Sequence, residues 1–100
     1  MVTEIAHITI DPAQATQFEA AVARSAPLFR AASGCQGMAL ERTVEDPARY
    51  RLVIRWATLE DHTVAFRGSQ AFVEWRALAG PFFAAPPVVE HMQAVGSYFG

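Results

Sequence analysis

The sequence predicts a single α+β domain with the element order β-α-β-β-α-β and one four-stranded antiparallel sheet. Three observations carry that expectation. The chain has 100 residues, 52% of them are apolar against 18% charged, and the hydrophobic period switches between two and about 3.6 along the chain. A length of this order makes one domain with one core, here residues 1–100. Disorder requires the opposite composition. The apolar share is also generous for a small monomer, so the chain either buries part of it in an oligomer or exposes a hydrophobic site.

Residues 2–10 alternate as a strand, with Val2, Glu4, Ala6, Ile8 and Ile10 on one face and Thr3, Ile5, His7 and Thr9 on the other. Asp11-Pro12 stops the strand and starts a helix, because Asp caps well and Pro suits the first turn. Phe18, Ala21, Val22, Ser25 and Phe29 form the inner stripe of that helix, which ends near Ser33-Gly34. Pro27 lies inside it and predicts a bend. Residues 37–44 form a second strand, EDPAR a turn, and residues 49–56 (RYRLVIRW) a third strand that hairpins onto the second. Tyr50, Leu52, Ile54 and Trp56 share one face of it; Arg51, Val53 and Arg55 share the other.

Thr58 caps the next helix with Asp61 three residues on, in the manner of a capping box. Leu59, His62 and Phe66 share its inner stripe. Gly68-Ser69 breaks and restarts it, and Phe72, Trp75 and Leu78 carry the stripe to Gly80-Pro81. GPFFAAPP is a loop and residues 88–95 the last strand. The order is that of ferredoxin-like domains. Such a sheet leaves one face bare of helices. Here that face carries Ile5, Val53 and apolar residues of the last strand, and a second subunit is the simplest cover.

Several function classes are excluded or disfavoured. A formal net charge of −2 gives no electrostatic footprint for nucleic acid or an anionic membrane. No run reaches the roughly 18 apolar residues of a membrane span. The start MVTEIAHITI lacks a basic segment and reads as a strand rather than a signal peptide, so the expected location is cytoplasmic. Cys35 stands alone, without an adjacent base, and reads as a packed thiol. Neither a phosphate-binding glycine loop nor a nucleophile elbow is present.

The phrases EIAHITIDP, RYRLVIRW, WATLEDH and FRGSQAFVEWRALAGPFF together resemble the antibiotic biosynthesis monooxygenase family over nearly the whole chain. The resemblance implies a homodimer whose sheets close face to face into a dimeric α/β barrel, each subunit holding its own small-molecule pocket between sheet and helices. Some members oxidise phenols or anthrones to quinones with O2 and no metal or flavin. Others bind and degrade heme, and related folds isomerise lactones or only bind a ligand. The heme-degrading pattern places an asparagine where this chain has Ala6 and a ligand histidine where it has Phe66. With His62 one turn away, about 5 Å along the axis, heme is disfavoured and no cofactor is expected.

His62 is the leading candidate for chemistry, since an imidazole titrates near neutrality and moves protons on a phenol. A packed histidine bonded to a backbone carbonyl explains the same position. Trp56 and Tyr50 are candidates to stack on a flat substrate, and they are equally explained as core. Phe66, Phe82 and Phe83 complete the expected apolar walls, with the PFF loop acting either as a lid or as an interface element. His7 and His91 lie on the first and last strands, adjacent in this fold, and with Glu4 or Glu90 nearby could suit a divalent metal, though no ligand spacing supports one. Arg51 and Arg55 read as interface charges with Glu41 as partner; Arg67 and Arg76 read as solvated helix charges. Two functions follow: a cofactor-independent monooxygenase on an aromatic or quinone-precursor substrate, with Trp56, Phe66, Phe82 and Phe83 as walls and His62 as proton acceptor, or a non-enzymatic dimer that binds an apolar ligand.

Overall fold

The computed structural model describes residues 1–100. Its strands are β1 (Val2–Thr9), β2 (Cys35–Arg42), β3 (Arg49–Trp56) and β4 (Val88–Met92), and its main helices α1 (Ala15–Arg30) and α2 (Gln70–Ala79). The sheet runs β2-β3-β1-β4 with every neighbouring pair antiparallel. The expected ferredoxin-like α+β architecture is therefore present. The expected stripe of α1 is also its buried set: Phe18, Ala21, Val22, Ser25 and Phe29.

Alternation on β3 decides where the core lies. Tyr50, Leu52, Ile54 and Trp56 are buried, while Arg49, Arg51 and Arg55 are exposed. Ala6 and Ile8 of β1 join the buried face, against Phe18, Val22 and Phe29 of α1 and Trp75 and Ala79 of α2. Each fully buried Ile, Leu or Phe of such a core contributes about 1.5–3 kcal/mol. The opposite face carries Ile5, Val53, Val88 and Met92, with Glu41 bonded to Arg51 as the cross-strand pattern suggested.

Boundaries differ from the expected ones for local reasons. α1 runs through Pro27 as expected, the unpaired Ala23 carbonyl lying on its exposed side, but it ends at Arg30, short of the expected Ser33-Gly34. β2 starts earlier, at Cys35, because Gly34 turns the chain directly into the sheet at φ 77°. Only glycine serves there: a Cβ would collide with the Asp61 carboxylate, and the Gly34 carbonyl accepts from Ala57 N–H at 2.7 Å. β4 stops at Met92, where its partner β1 runs out at Thr3. No helix is long and apolar enough to cross a membrane.

Candidate functional site

His62 reaches the core through a short, irregular helical stretch. Thr58 and Asp61 form the capping box: Asp61 N–H donates to Thr58 Oγ1 at 3.1 Å, and Thr58 N–H to Asp61 Oδ2 at 3.2 Å. From Asp61 to Phe66 the backbone then winds as a π-helix, its bond running from Arg67 N–H to the His62 carbonyl at 3.1 Å. Such turns are rare and recur at functional sites. This one directs both His62 and Phe66 inward, leaving Leu59, expected on the same stripe, exposed. Gly68 and the Ser69 cap, whose Oγ accepts from Phe72 N–H at 3.3 Å, then start α2.

Inside, His62 joins a chain of polar groups. Glu4 Oε1 accepts from Trp56 Nε1–H at 3.0 Å and lies 3.3 Å from His62 Nε2. His62 Nδ1 lies 2.8 Å from His91 Nε2, and the His62 ring stacks on Trp56 at 5.3 Å. Glu4 and His62 are both buried; His91 is half-buried. Burial pushes the Glu4 carboxyl up, against the opposing pull of the Trp56 N–H and the Arg67 charge. It pushes His62 down to about 4, helped by Arg67 and His91, and lowers His91 as well. At neutral pH the His62 imidazole is therefore uncharged. With Nε2–H given to Glu4, its Nδ1 accepts and His91 donates from Nε2.

Beside this chain lies a cavity of about 230 Å³ between the sheet and α2. Glu4 and His62 form its polar end, Leu52, Phe72, Trp75 and Phe83 part of its apolar wall, and Arg67 and Arg76 also line it. Glu4 Oε2 has no protein partner, and no buried side-chain N or O atom lacks one, so that oxygen is not sealed off. A wider trough of about 380 Å³ runs between α1 and β2, but its walls carry no carboxylate or imidazole. Its thiol, Cys35, is pushed up in pKa, chiefly by burial, which disfavours the thiolate.

The sequence profile of the antibiotic biosynthesis monooxygenases matches residues 1–78. An uncharacterized Bacillus subtilis protein, YczJ, is 39% identical over 95 residues, covering 95% of this chain and all of its own. A Bordetella bronchiseptica protein assigned to the same monooxygenases superposes with a TM-score of 0.92 at 50% identity, over 94% of this chain and 96% of its own. The chain belongs to the antibiotic biosynthesis monooxygenase family. SnoaB, a cofactor-independent oxygenase from Streptomyces nogalater, shares the fold at 19% identity and a TM-score of 0.77, over 96% of this chain and 94% of its own.

Within this family member the expected site residues separate into two groups. His62 and Phe83 line the cavity, and Trp56 lies beneath His62 without lining it. Phe66 stacks on Phe29 at 4.7 Å and Phe82 packs edge-on against Phe18 at 6.0 Å, both away from the cavity wall. Tyr50 is buried against Phe18, and its hydroxyl donates to Glu19 at 2.6 Å. Burial and that carboxylate push it up to about 12, so it stays a neutral phenol outside the cavity. The PFF loop packs on its own subunit: Phe83 meets Trp75, and Ala84 N–H donates to the Thr9 carbonyl at 2.8 Å. The imagined meeting of His7 with His91 does not occur, because the register pairs His7 with Val88 and Glu4 with His91, which puts the two imidazoles on opposite faces. Glu4 and His91 entered the sequence reading only as a conceivable metal set with His7, and Arg67 only as a solvated helix charge; their place beside His62 and the cavity was not foreseen. The signal for Glu4 was present: it is the one charged residue on the Ala6–Ile8–Ile10 face of β1.

Proposed function

We propose that this protein is a cofactor-independent monooxygenase acting on a hydroxylated aromatic small molecule. The observation that carries the reading is the Glu4–His62–His91 chain buried beside a cavity with apolar walls. A carboxylate whose pKa is raised by burial is a stronger base than an exposed one. Glu4 takes the substrate hydroxyl proton on its unengaged oxygen, and His62, bonded to the other oxygen, keeps the carboxylate aimed. His62, its two ring nitrogens already engaged, thus orients the base rather than meeting the substrate first. The electron-rich anion then reacts with O2. One oxygen atom becomes a carbonyl at a ring C–H position, and the other leaves as water with that hydrogen and the hydroxyl hydrogen. Four electrons pass from substrate to O2, so no further reductant is needed. The activity named for SnoaB, which has the same fold, is of this kind.

The same proposal includes a homodimer. The outer sheet face lies outside the helix-packed core: Val88 and Met92 are exposed there, Val53 is half-buried and Ile5 buried. A second copy buries it in the manner that the family resemblance implies. Native mass spectrometry checks the dimer. Oxygen uptake with hydroxynaphthalenes checks the reaction. Glu4→Gln, which keeps acceptors for Trp56 and His62 but removes the base, is expected to lower kcat by at least about 100-fold. Wild-type turnover in that variant would remove Glu4 from the mechanism, and ligand binding without any oxygen uptake would leave a binding protein in place of an enzyme.

A further inference from the structure

The cavity is small, and its positive charge exceeds its negative. Drug-sized ligands occupy about 300–1,000 Å³, while a buried space of about 150 Å³ holds benzene. At about 230 Å³ this cavity suits one ring or two fused rings and is too small to enclose three or four. Its only carboxylate is Glu4, at the buried polar end; Arg67 and Arg76 supply two guanidiniums. Both arginines are exposed, and neither guanidinium makes a hydrogen bond or ion pair within the chain. Arg76 lies over the Phe72 ring at 5.8 Å, which ties its position to the apolar wall. Arg67 directly follows the π-helical stretch that positions His62. A neutral substrate would leave both forks of donors without an acceptor other than water.

We propose that the ligand of this cavity is a one- or two-ring aromatic acid whose carboxylate is bound by Arg67 and Arg76 while its ring lies against Leu52, Phe72 and Phe83. The planar guanidinium offers parallel N–H donors that match a carboxylate, and Glu4 at the buried polar end is left to face a hydroxyl. This assignment rests on the cavity being the substrate site; it does not depend on the reaction carried out there.

The test is binding of 2-naphthoate against 2-naphthamide, a neutral molecule of the same shape, followed by tryptophan fluorescence or calorimetry at low salt. Naphthoate is expected to bind about tenfold more tightly. The preference should shrink as added salt screens the exposed charges. Arg67→Gln and Arg76→Gln, both at exposed positions, should each remove most of the preference. Equal affinities, a preference for the amide, or a naphthoate affinity indifferent to both substitutions overturns the assignment. So does failure of both compounds to bind at about 1 mM. A charge preference in the absence of oxygen uptake from hydroxynaphthoates would retire the oxygenase reading and leave this one standing. Oxygen uptake from neutral naphthols with no charge preference would do the reverse.

Discussion

The two faces of the sheet each hold a histidine against a glutamate, at nearly the same distance and with opposite meaning. On the outer face His7 Nε2 lies 3.0 Å from Glu90 Oε1, with the side chains 47% and 49% exposed. On the inner face His62 Nε2 lies 3.3 Å from Glu4 Oε1, with side chains 4% and 7% exposed. An exposed pair of this kind is worth about 0–1 kcal/mol, because water and salt screen it and both side chains lose freedom to form it. For the buried pair desolvation outweighs attraction, which is why both partners are pushed toward their neutral forms. Distance alone does not distinguish a surface contact from a proton-handling device; the surroundings do.

The largest difference between the faces should appear when the carboxylates are replaced by leucine. Glu4→Leu leaves the buried Trp56 N–H without an acceptor and removes the partner of His62, at an expected cost of about 2–3 kcal/mol in urea unfolding. Glu90→Leu should cost less than about 1 kcal/mol. Equal losses would mean that the Trp56–Glu4–His62 contacts contribute no more than a surface pair does.

A second comparison uses pH. His62 is lowered from 6.5 to about 4 by burial, so its contribution is intact above pH 6.5 and is lost as pH falls through 4. The full span corresponds to about 3 kcal/mol. Glu4 is raised, so its contribution is intact below 4.5 and is lost as pH rises through its folded value. The two slopes oppose each other in the acid range. His62→Gln should therefore leave the falling Glu4 slope opposed only by that of His91, which burial also lowers. In the same variant the acid-side loss due to His62 should vanish. Urea midpoints across pH 4–8 check this, and a profile unchanged by His62→Gln would break the assignment.

The framework of this comparison was legible in the chain, and its pairing was not. Alternation gave the face of each residue on β3 and β1, so Trp56, Glu4 and Ile8 could be placed together, and Arg51 and Glu41 apart from them. Glycine and capping residues marked the helix start at Thr58 and the restart at Ser69. Contacts that depend on register are another matter. Periodicity put His91 on a strand but could not say that Glu4, rather than His7, stands opposite it. The π-helical turn is likewise invisible to a 3.6-residue period, so Leu59 was assigned inward with His62 and Phe66. Aromatic residues were overvalued as walls for a related reason. Hydrophobicity marks Tyr50, Phe66 and Phe82 as buried but does not separate a core contact from a cavity lining.

The smallest expected effect is the most demanding test of the comparison, because it asks the outer face to do nothing for chemistry. Glu90→Gln keeps the size of the side chain and weakens its bond to His7, a contact half open to water. Its expected cost is below about 0.5 kcal/mol, within the range of ordinary surface substitutions. Turnover should match the wild type, since no residue of that pair lines the cavity. A larger loss of stability that grew with dilution would locate Glu90 in the contact between two copies, because a dimer's apparent stability depends on protomer concentration. A loss of turnover without loss of stability would be harder to accommodate. Strand β4 carries His91 on its other face, one residue along, so such a result would mean that the outer pair sets the position of the His91 ring through the strand itself.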